Sequence, residues 1–238
     1  MGYAFSHGPI RSVHPAPRAL TGMNQAPRAH RAVFITFEGI EGCGKTTQAK
    51  LLAKRLREEG QQAILTAEPG GTVLGRALRA ALLNPARTVD PIAEWLLFEA
   101  DRAQHVRETI QPLLRRGVTV ICDRFSDSTR AYQGIGRGLG LDQVDRVDRA
   151  ATGGLKPDLT FLLDLPVREG LARAASRGKL TRIERERTRF HTKIRDAFLV
   201  LATREPGRIK VVDGRLDRPH AAEVVWKHVA AVLGRKAR

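Results

Sequence analysis

Eight consecutive residues, Gly39-Ile40-Glu41-Gly42-Cys43-Gly44-Lys45-Thr46, constrain this chain more than any other stretch. They complete a G-x-x-x-x-G-K-T pattern between a short apolar run, Val33–Phe37, and a helical stretch, Thr46–Glu59, closed by Gly60. Glycines let the backbone turn successive N–H groups inward around an anion, with no Cβ in the way. The helix starting at Thr46, with Thr47 in its first turn, brings unpaired N–H groups and a positive dipole end to the same point. Lys45 can reach the β and γ phosphates of a nucleoside triphosphate, and the Thr46 hydroxyl can ligate Mg²⁺. The strand before and the helix after are the context that separates a phosphate cradle from a glycine-rich turn with an exposed lysine. Gly39 through Thr47 are therefore assigned to phosphate binding, with ATP as the expected ligand and Mg²⁺ as its metal.

The rest of the chain alternates in a way that suits this motif. Short apolar runs at Val33–Phe37, Ala63–Ala67, Val118–Cys122, Leu159–Leu165 and Ile209–Val212 read as strands buried on both faces. Helical stretches are expected at Thr46–Glu59, Val73–Leu83, Pro91–Arg116, Gln143–Thr152, Val167–Ser176, Glu184–Arg204 and Pro219–Leu233. In the first of these, Ala49, Leu52, Ala53 and Leu56 form an i, i+3, i+4, i+7 apolar stripe. Such alternation implies right-handed crossovers. The expected fold is α/β: a three-layer α/β/α P-loop NTPase architecture with a central five-stranded parallel sheet. Ligands of such sheets lie beyond the carboxyl ends of the strands. Asp123 follows the third run, where a carboxylate serves Mg²⁺ or its water shell. An Asp capping the next helix has the same sequence appearance.

Composition narrows the setting without choosing the function. The 238 residues, 42% hydrophobic and 28% charged, suit one globular domain. No apolar run is long enough for a membrane span, and no secretory leader is indicated, so a cytoplasmic location without membrane contact is expected. Cys43 and Cys122 fit no disulfide or zinc spacing and read as reduced thiols. The net charge of +16 is compatible with nucleic acid, a membrane surface or small polyanions, and with arginine-rich codon usage alone. Residues 1–31, rich in Pro, Ala, Arg and His without apolar period, read as a disordered basic tail, with Met23 an alternative start; residues 32–238 form the catalytic domain.

Six segments together carry a resemblance: FEGIEGCGKTTQ at 37–48, AEPGGT at 67–72, LLFEADR at 96–102, CDRFSDSTRAYQGIGRG at 122–138, KPDLTFLLDL at 156–165 and TRIE at 181–184. The chain from about residue 33 to 233 resembles the thymidylate kinases, P-loop nucleoside monophosphate kinases that convert dTMP to dTDP with ATP. The resemblance implies that Phe98 stacks on thymine and that Arg102, four residues on and on the same helix face, hydrogen-bonds its exocyclic oxygen. It further implies that Arg79 faces the acceptor nucleotide and that Arg124 holds its phosphate by a guanidinium fork. Thr129 and Gln133 match base-contacting positions, and Tyr132 sits where a ring excludes ribonucleotides. Glu41 matches an acid that organises the acceptor phosphate and metal.

Phosphoryl transfer asks for positioned charge around the migrating group. Eukaryotic-type members carry a mobile arginine within the P-loop, where this chain has Gly42; bacterial-type members carry it in a lid. Here Arg173, Arg177 and Arg182 cluster in RAASRGKLTR, so the bacterial type is expected, with a mobile lid at about 173–185. Arg182 is its best-matched residue and Arg177 the next. The expected catalytic set is then Lys45, Arg182, Arg177, Glu41 and Arg124. Two departures stand out: Ala67 replaces a frequent Arg before E-P-G-G-T, with Arg76 a possible compensation, and Thr181 replaces a frequent Asp. Homodimerisation follows from the resemblance, with the Ile92–Leu114 helix a candidate face. Two other readings stay open: a kinase for another pyrimidine monophosphate, and a nucleic-acid-stimulated P-loop ATPase. Against the second, aromatics make up only 5% of the chain and are not interleaved in its basic stretches.

Overall fold

A computed structural model describes residues 32–234; the basic tail assigned to residues 1–31, and Met23 within it, lie outside the described residues. Five strands appear where the apolar runs predict them: β1 (Phe34–Glu38), β2 (Ala63–Ala67), β3 (Thr119–Asp123), β4 (Leu159–Asp164) and β5 (Ile209–Asp213). All neighbours pair in parallel, in the order β2-β3-β1-β4-β5. The chain leaves β1 towards β2 on one side and later reaches β4 on the other, so a crevice opens at the carboxyl end of β1.

Nine α-helices are described: α1 (Lys45–Glu58), α2 (Val73–Leu83), α3 (Pro91–His105), α4 (Gln111–Arg115), α5 (Ser126–Thr129), α6 (Leu141–Thr152), α7 (Val167–Ala175), α8 (Thr188–Arg204) and α9 (Arg218–Val232). Helices α1 and α9 pack together, and α8 lies against β4, β5 and the segment after α5. Alternation along β1 explains the layering. Ile35 and Phe37 join the large core with Ala49, Leu52, Ala53 and Leu56, the apolar stripe of α1. Phe34 faces the other way, into a smaller cluster with Val106, Ile110, Val120, Cys122 and Phe125.

Local chemistry sets the helix starts. Thr72 caps α2 by accepting from the Gly75 N–H at 2.9 Å. Asp90 caps α3 ahead of Pro91, and Asp217 caps α9. Helix α1 starts without such a cap: Gly44, at φ 100, occupies its cap position and offers no side chain, so the first-turn N–H groups are left for a ligand.

Three differences from the sequence expectation have physical causes. The single helix expected over Pro91–Arg116 is widened into a π-helical turn at Val106–Ile110. Pro112 lacks an N–H and crowds the carbonyl four residues back, which a wider turn relieves. Helix α8 starts at Thr188 rather than Glu184. The Thr181 N–H donates to Glu184 Oε2 at 2.8 Å and the Glu184 N–H to Thr181 Oγ1 at 3.3 Å, a reciprocal pair that closes its own turn. Thr181 thereby supplies a capping oxygen where the family often has Asp. A helix not expected from sequence runs through α5 into a π-helical segment, Arg130–Gly136. Its inward face includes Ser126, Asp127, Thr129 and Gln133, so it carries little apolar period to detect.

Leu56 is fully buried between α1 and the sheet. Leu56→Ala is expected to lower stability by about 3 kcal/mol, read by urea denaturation, with the nucleotide affinities of the folded fraction retained.

Candidate active site

The carboxyl ends of β1, β3 and β2 lie side by side, with Phe37 opposite Asp123 and Asp123 opposite Ala67. This register gathers the 39–44 loop, the Asp123-Arg124 pair and the Glu68-Pro69 pair at one edge.

Gly42 sits in the loop at φ 72, and a Cβ there would lie 2.0 Å from the Gly170 carbonyl oxygen of α7. Only glycine allows that contact. Lys45 is buried and donates to the carbonyls of Gly39 at 3.0 Å and Ile40 at 2.7 Å. The Thr46 hydroxyl donates to Asp123 Oδ2 at the mouth of the loop. A cavity beside it is lined by the 42–48 segment together with Arg173, Arg177, Gly214, Leu216 and Arg218.

A second cleft lies on the other side of Glu41. Its walls include all seven residues assigned to the acceptor nucleotide: Arg79, Phe98, Arg102, Arg124, Thr129, Tyr132 and Gln133. Arg79 reaches over from α2 and donates to the Pro69 carbonyl at 2.8 Å. Arg76 is exposed and does not line this cleft, so it does not replace the charge absent at Ala67.

Arg102 is buried among carboxylates. Its Nε donates to Glu68 at 2.9 Å, and Nη1 to Glu99 at 3.0 Å, Asp148 at 3.2 Å and the Thr129 hydroxyl at 2.9 Å. Burial opposes its charge, but Glu99, Glu68 and Asp148 more than offset this and raise its pKa. Glu99 is itself pushed up to about 7 by burial. The guanidinium is thus fixed in place before any ligand arrives.

Arg124 is held in an unusual backbone state, φ 73, which costs a residue with a side chain on the order of 1 kcal/mol. Surrounding bonds impose it: the Arg124 N–H donates to the Phe37 carbonyl at 3.0 Å, and the next N–H, of Phe125, to Glu38 Oε1 at 2.7 Å. Its side chain then reaches Ser128 Oγ at 3.0 Å, Glu41 Oε1 at 3.2 Å and the Tyr132 hydroxyl at 3.2 Å.

Glu41 joins the two compartments. The Tyr132 hydroxyl donates to its Oε1 at 2.5 Å, and His191 Nδ1 lies 3.0 Å from its Oε2. Burial would raise the pKa of this carboxyl. The His191 hydrogen bond and the charges of Arg124 and Lys45 prevail and hold it at about 2. A deprotonated Glu41 requires His191 to donate through Nδ1. Sequence reasoning missed His191, because nothing local on α8 marks it and only the fold brings it to the loop. It also missed Glu94, for which a signal existed: Glu94, Phe98 and Arg102 repeat every four residues along one face of α3.

The lid arginines separate. Arg177 lines the cavity beside the loop and pairs with Glu184 at 3.4 Å. Arg173 lines the same cavity and donates to the Gly214 carbonyl at 3.0 Å. Arg182, nominated first from sequence, is instead drawn to the acceptor side, donating to Glu94 Oε2 at 2.6 Å and the Leu82 carbonyl at 2.9 Å.

The family model described as Thymidylate kinase matches residues 37–221. The chain belongs to the thymidylate kinase family. It is similar to the thymidylate kinase of Geotalea daltonii, 50% identical over 210 residues covering 85% of this chain and 97% of the relative. Similarity to the thymidylate kinase of Deinococcus radiodurans is 47% identity over 200 residues, 84% of this chain and 97% of that one. The crystal structure of thymidylate kinase from Ehrlichia chaffeensis superposes with a TM-score of 0.69 at 36% identity, over 83% of this chain and 98% of that chain. Thymidylate kinase relatives thus match this chain over nearly their whole length, and the two clefts fall within the matched region. Among the described residues, no helix is long and apolar enough to cross a membrane.

The low pKa of Glu41 makes a pH prediction. Its folded value of about 2 lies below the unfolded 4.5, so its contribution is complete above the unfolded value and is lost as pH falls towards the folded one. The stability gap between wild type and Glu41→Gln is expected to narrow by about 2 kcal/mol between roughly pH 6 and pH 3, measured by urea denaturation.

Proposed function

We propose that this chain transfers the γ-phosphoryl group of ATP to dTMP, yielding ADP and dTDP for dTTP supply. One observation carries the reading: the cleft that gathers Phe98, Arg102, Tyr132 and Gln133 shares Glu41 with the loop holding Lys45. An acceptor phosphate on Arg124 then lies beside the end of a triphosphate in the cradle.

An oxygen of the dTMP phosphate attacks the γ-phosphorus; the new O–P bond forms as the bond to the β-bridging oxygen breaks, and ADP leaves. Lys45, which donates to loop carbonyls here, turns its ammonium to the β and γ oxygens. Arg124 fixes the attacking phosphate and Glu41 fixes Arg124. Arg177, exposed and on the cradle cavity, is placed to meet the migrating group as the 173–185 lid closes, which also excludes water as a competing acceptor. Arg182, bound to Glu94, supports the lid from the acceptor side. Phe98 and Tyr132 form apolar walls for base and deoxyribose.

Thr46 and Asp123 suit Mg²⁺, since a hydroxyl and a carboxylate in mutual contact at the cradle mouth are hard oxygen donors. When bound there, Mg²⁺ neutralises charge on the β and γ phosphates.

A homodimer through α2 and α3 also fits. These helices pack together and expose Val73 (72%), Leu74 (47%), Ile92 (51%) and Leu96 (48%). Leu96→Glu is expected to halve the mass measured by light scattering; an unchanged mass would remove this face as the interface.

Turnover over dTMP, dUMP, dCMP, UMP and AMP with Mg²⁺-ATP tests the reaction. The dTMP kcat/KM is expected to lead. Lys45→Ala should retain the fold and lose at least about a thousandfold in kcat. Equal rates with UMP or AMP would refute the assignment.

A further inference from the structure

Glu94 touches neither nucleotide in the reaction above, where it serves only to hold Arg182, yet it is 1% exposed and both of its oxygens are occupied. Oε1 accepts from Gln133 Nε2 at 2.8 Å and Arg137 Nε at 3.1 Å. Oε2 accepts from Arg137 Nη2 at 3.1 Å and Arg182 Nη2 at 2.6 Å. Burial favours the neutral acid, but the hydrogen bonds from Arg137 and Gln133 hold its pKa below the ordinary range.

An ionised carboxylate only accepts hydrogen bonds, so Gln133 must show it the NH₂ end of its amide. The carbonyl Oε1 is then the end available to the acceptor cleft, which Gln133 lines. A carbonyl oxygen pairs with a ring N–H, as in thymine or uracil. Facing a base whose ring nitrogen carries only a lone pair, as in cytosine, it sets acceptor against acceptor. Neighbouring contacts brace this choice: Arg137 grips Glu94 through two nitrogens, reaches Glu186 at 2.7 Å and lies over the Phe190 ring at 4.6 Å.

We propose that Glu94 is a positioning residue that fixes which end of the Gln133 amide meets the acceptor base, and thereby selects a base with a ring N–H. The proposal rests on the dTMP reading of the cleft. With Glu94 neutral, the Gln133 amide can turn and offer its NH₂ to a bare ring nitrogen.

The test is steady-state kinetics of the full chain with dTMP and dCMP at saturating Mg²⁺-ATP. If wild type does not turn over dTMP, the functional reading fails before any variant is considered. Given that turnover, Glu94→Gln is expected to lower the dTMP-to-dCMP ratio of kcat/KM at least about tenfold, with KM for ATP within about twofold of wild type. A purely structural loss lowers both nucleotides alike, so an unchanged ratio overturns the proposal. In the double variant Glu94→Gln/Gln133→Glu, amide and carboxylate change places, keeping the hydrogen bond and an acceptor oxygen towards the base. This exchange is expected to restore the ratio to within about threefold of wild type, even where the single variant folds poorly. A double variant that folds but leaves the ratio collapsed also overturns the proposal, because it keeps the hydrogen bond between positions 94 and 133 and an acceptor oxygen towards the base; where it does not fold, the ratio of the single variant decides.

Discussion

A carboxylate withdrawn from water survives as an anion only when other groups replace its hydration, and Glu41 receives that replacement from three separate elements. His191 comes from α8, Tyr132 from the π-helical segment after α5, and Arg124 from the turn after β3. Glu41 itself belongs to the phosphate loop. The donor cradle and the acceptor cleft are therefore two sides of one buried charge, and moving either wall disturbs the compensation of that charge. Catalysis by alignment needs such a tie, since phosphoryl transfer draws on position and charge more than on any one reactive side chain.

Preorganisation recurs one layer out. Arg102 is surrounded by Glu68, Glu99 and Asp148, and so does not depend on a ligand to hold its guanidinium still. Arg124 stands in a left-handed backbone state maintained by Phe37 and Glu38. In a chain of net charge +16, Arg102 and Arg124 are distinguished from most of the other arginines by being held by buried acids.

The sheet was legible because buried parallel strands are short apolar runs, and all five runs became strands within a residue or so at each end. The cradle was legible because its chemistry is written in consecutive residues. Phe98 and Arg102, like the other residues assigned to the acceptor, were nominated through a family motif; helical spacing added only that the two share a face. His191 was not, because its partner lies 150 positions away in sequence. The helix over Ser126–Gly136 was not, because its buried side mixes polar Ser126, Asp127, Thr129 and Gln133 with apolar Ala131 and Tyr132 and so shows little apolar period. The direction of Arg182 was not readable, since that depends on Glu94, on α3.

The Gly42–Gly170 approach reaches beyond this one loop. Two backbones touch there with no room for a side chain on the loop's side. An arginine at position 42 would have to push α7 outward, and α7 bears Arg173 and leads into Arg177. A side chain on the loop there and the present seat of α7 are therefore alternatives that compete for the same few ångströms.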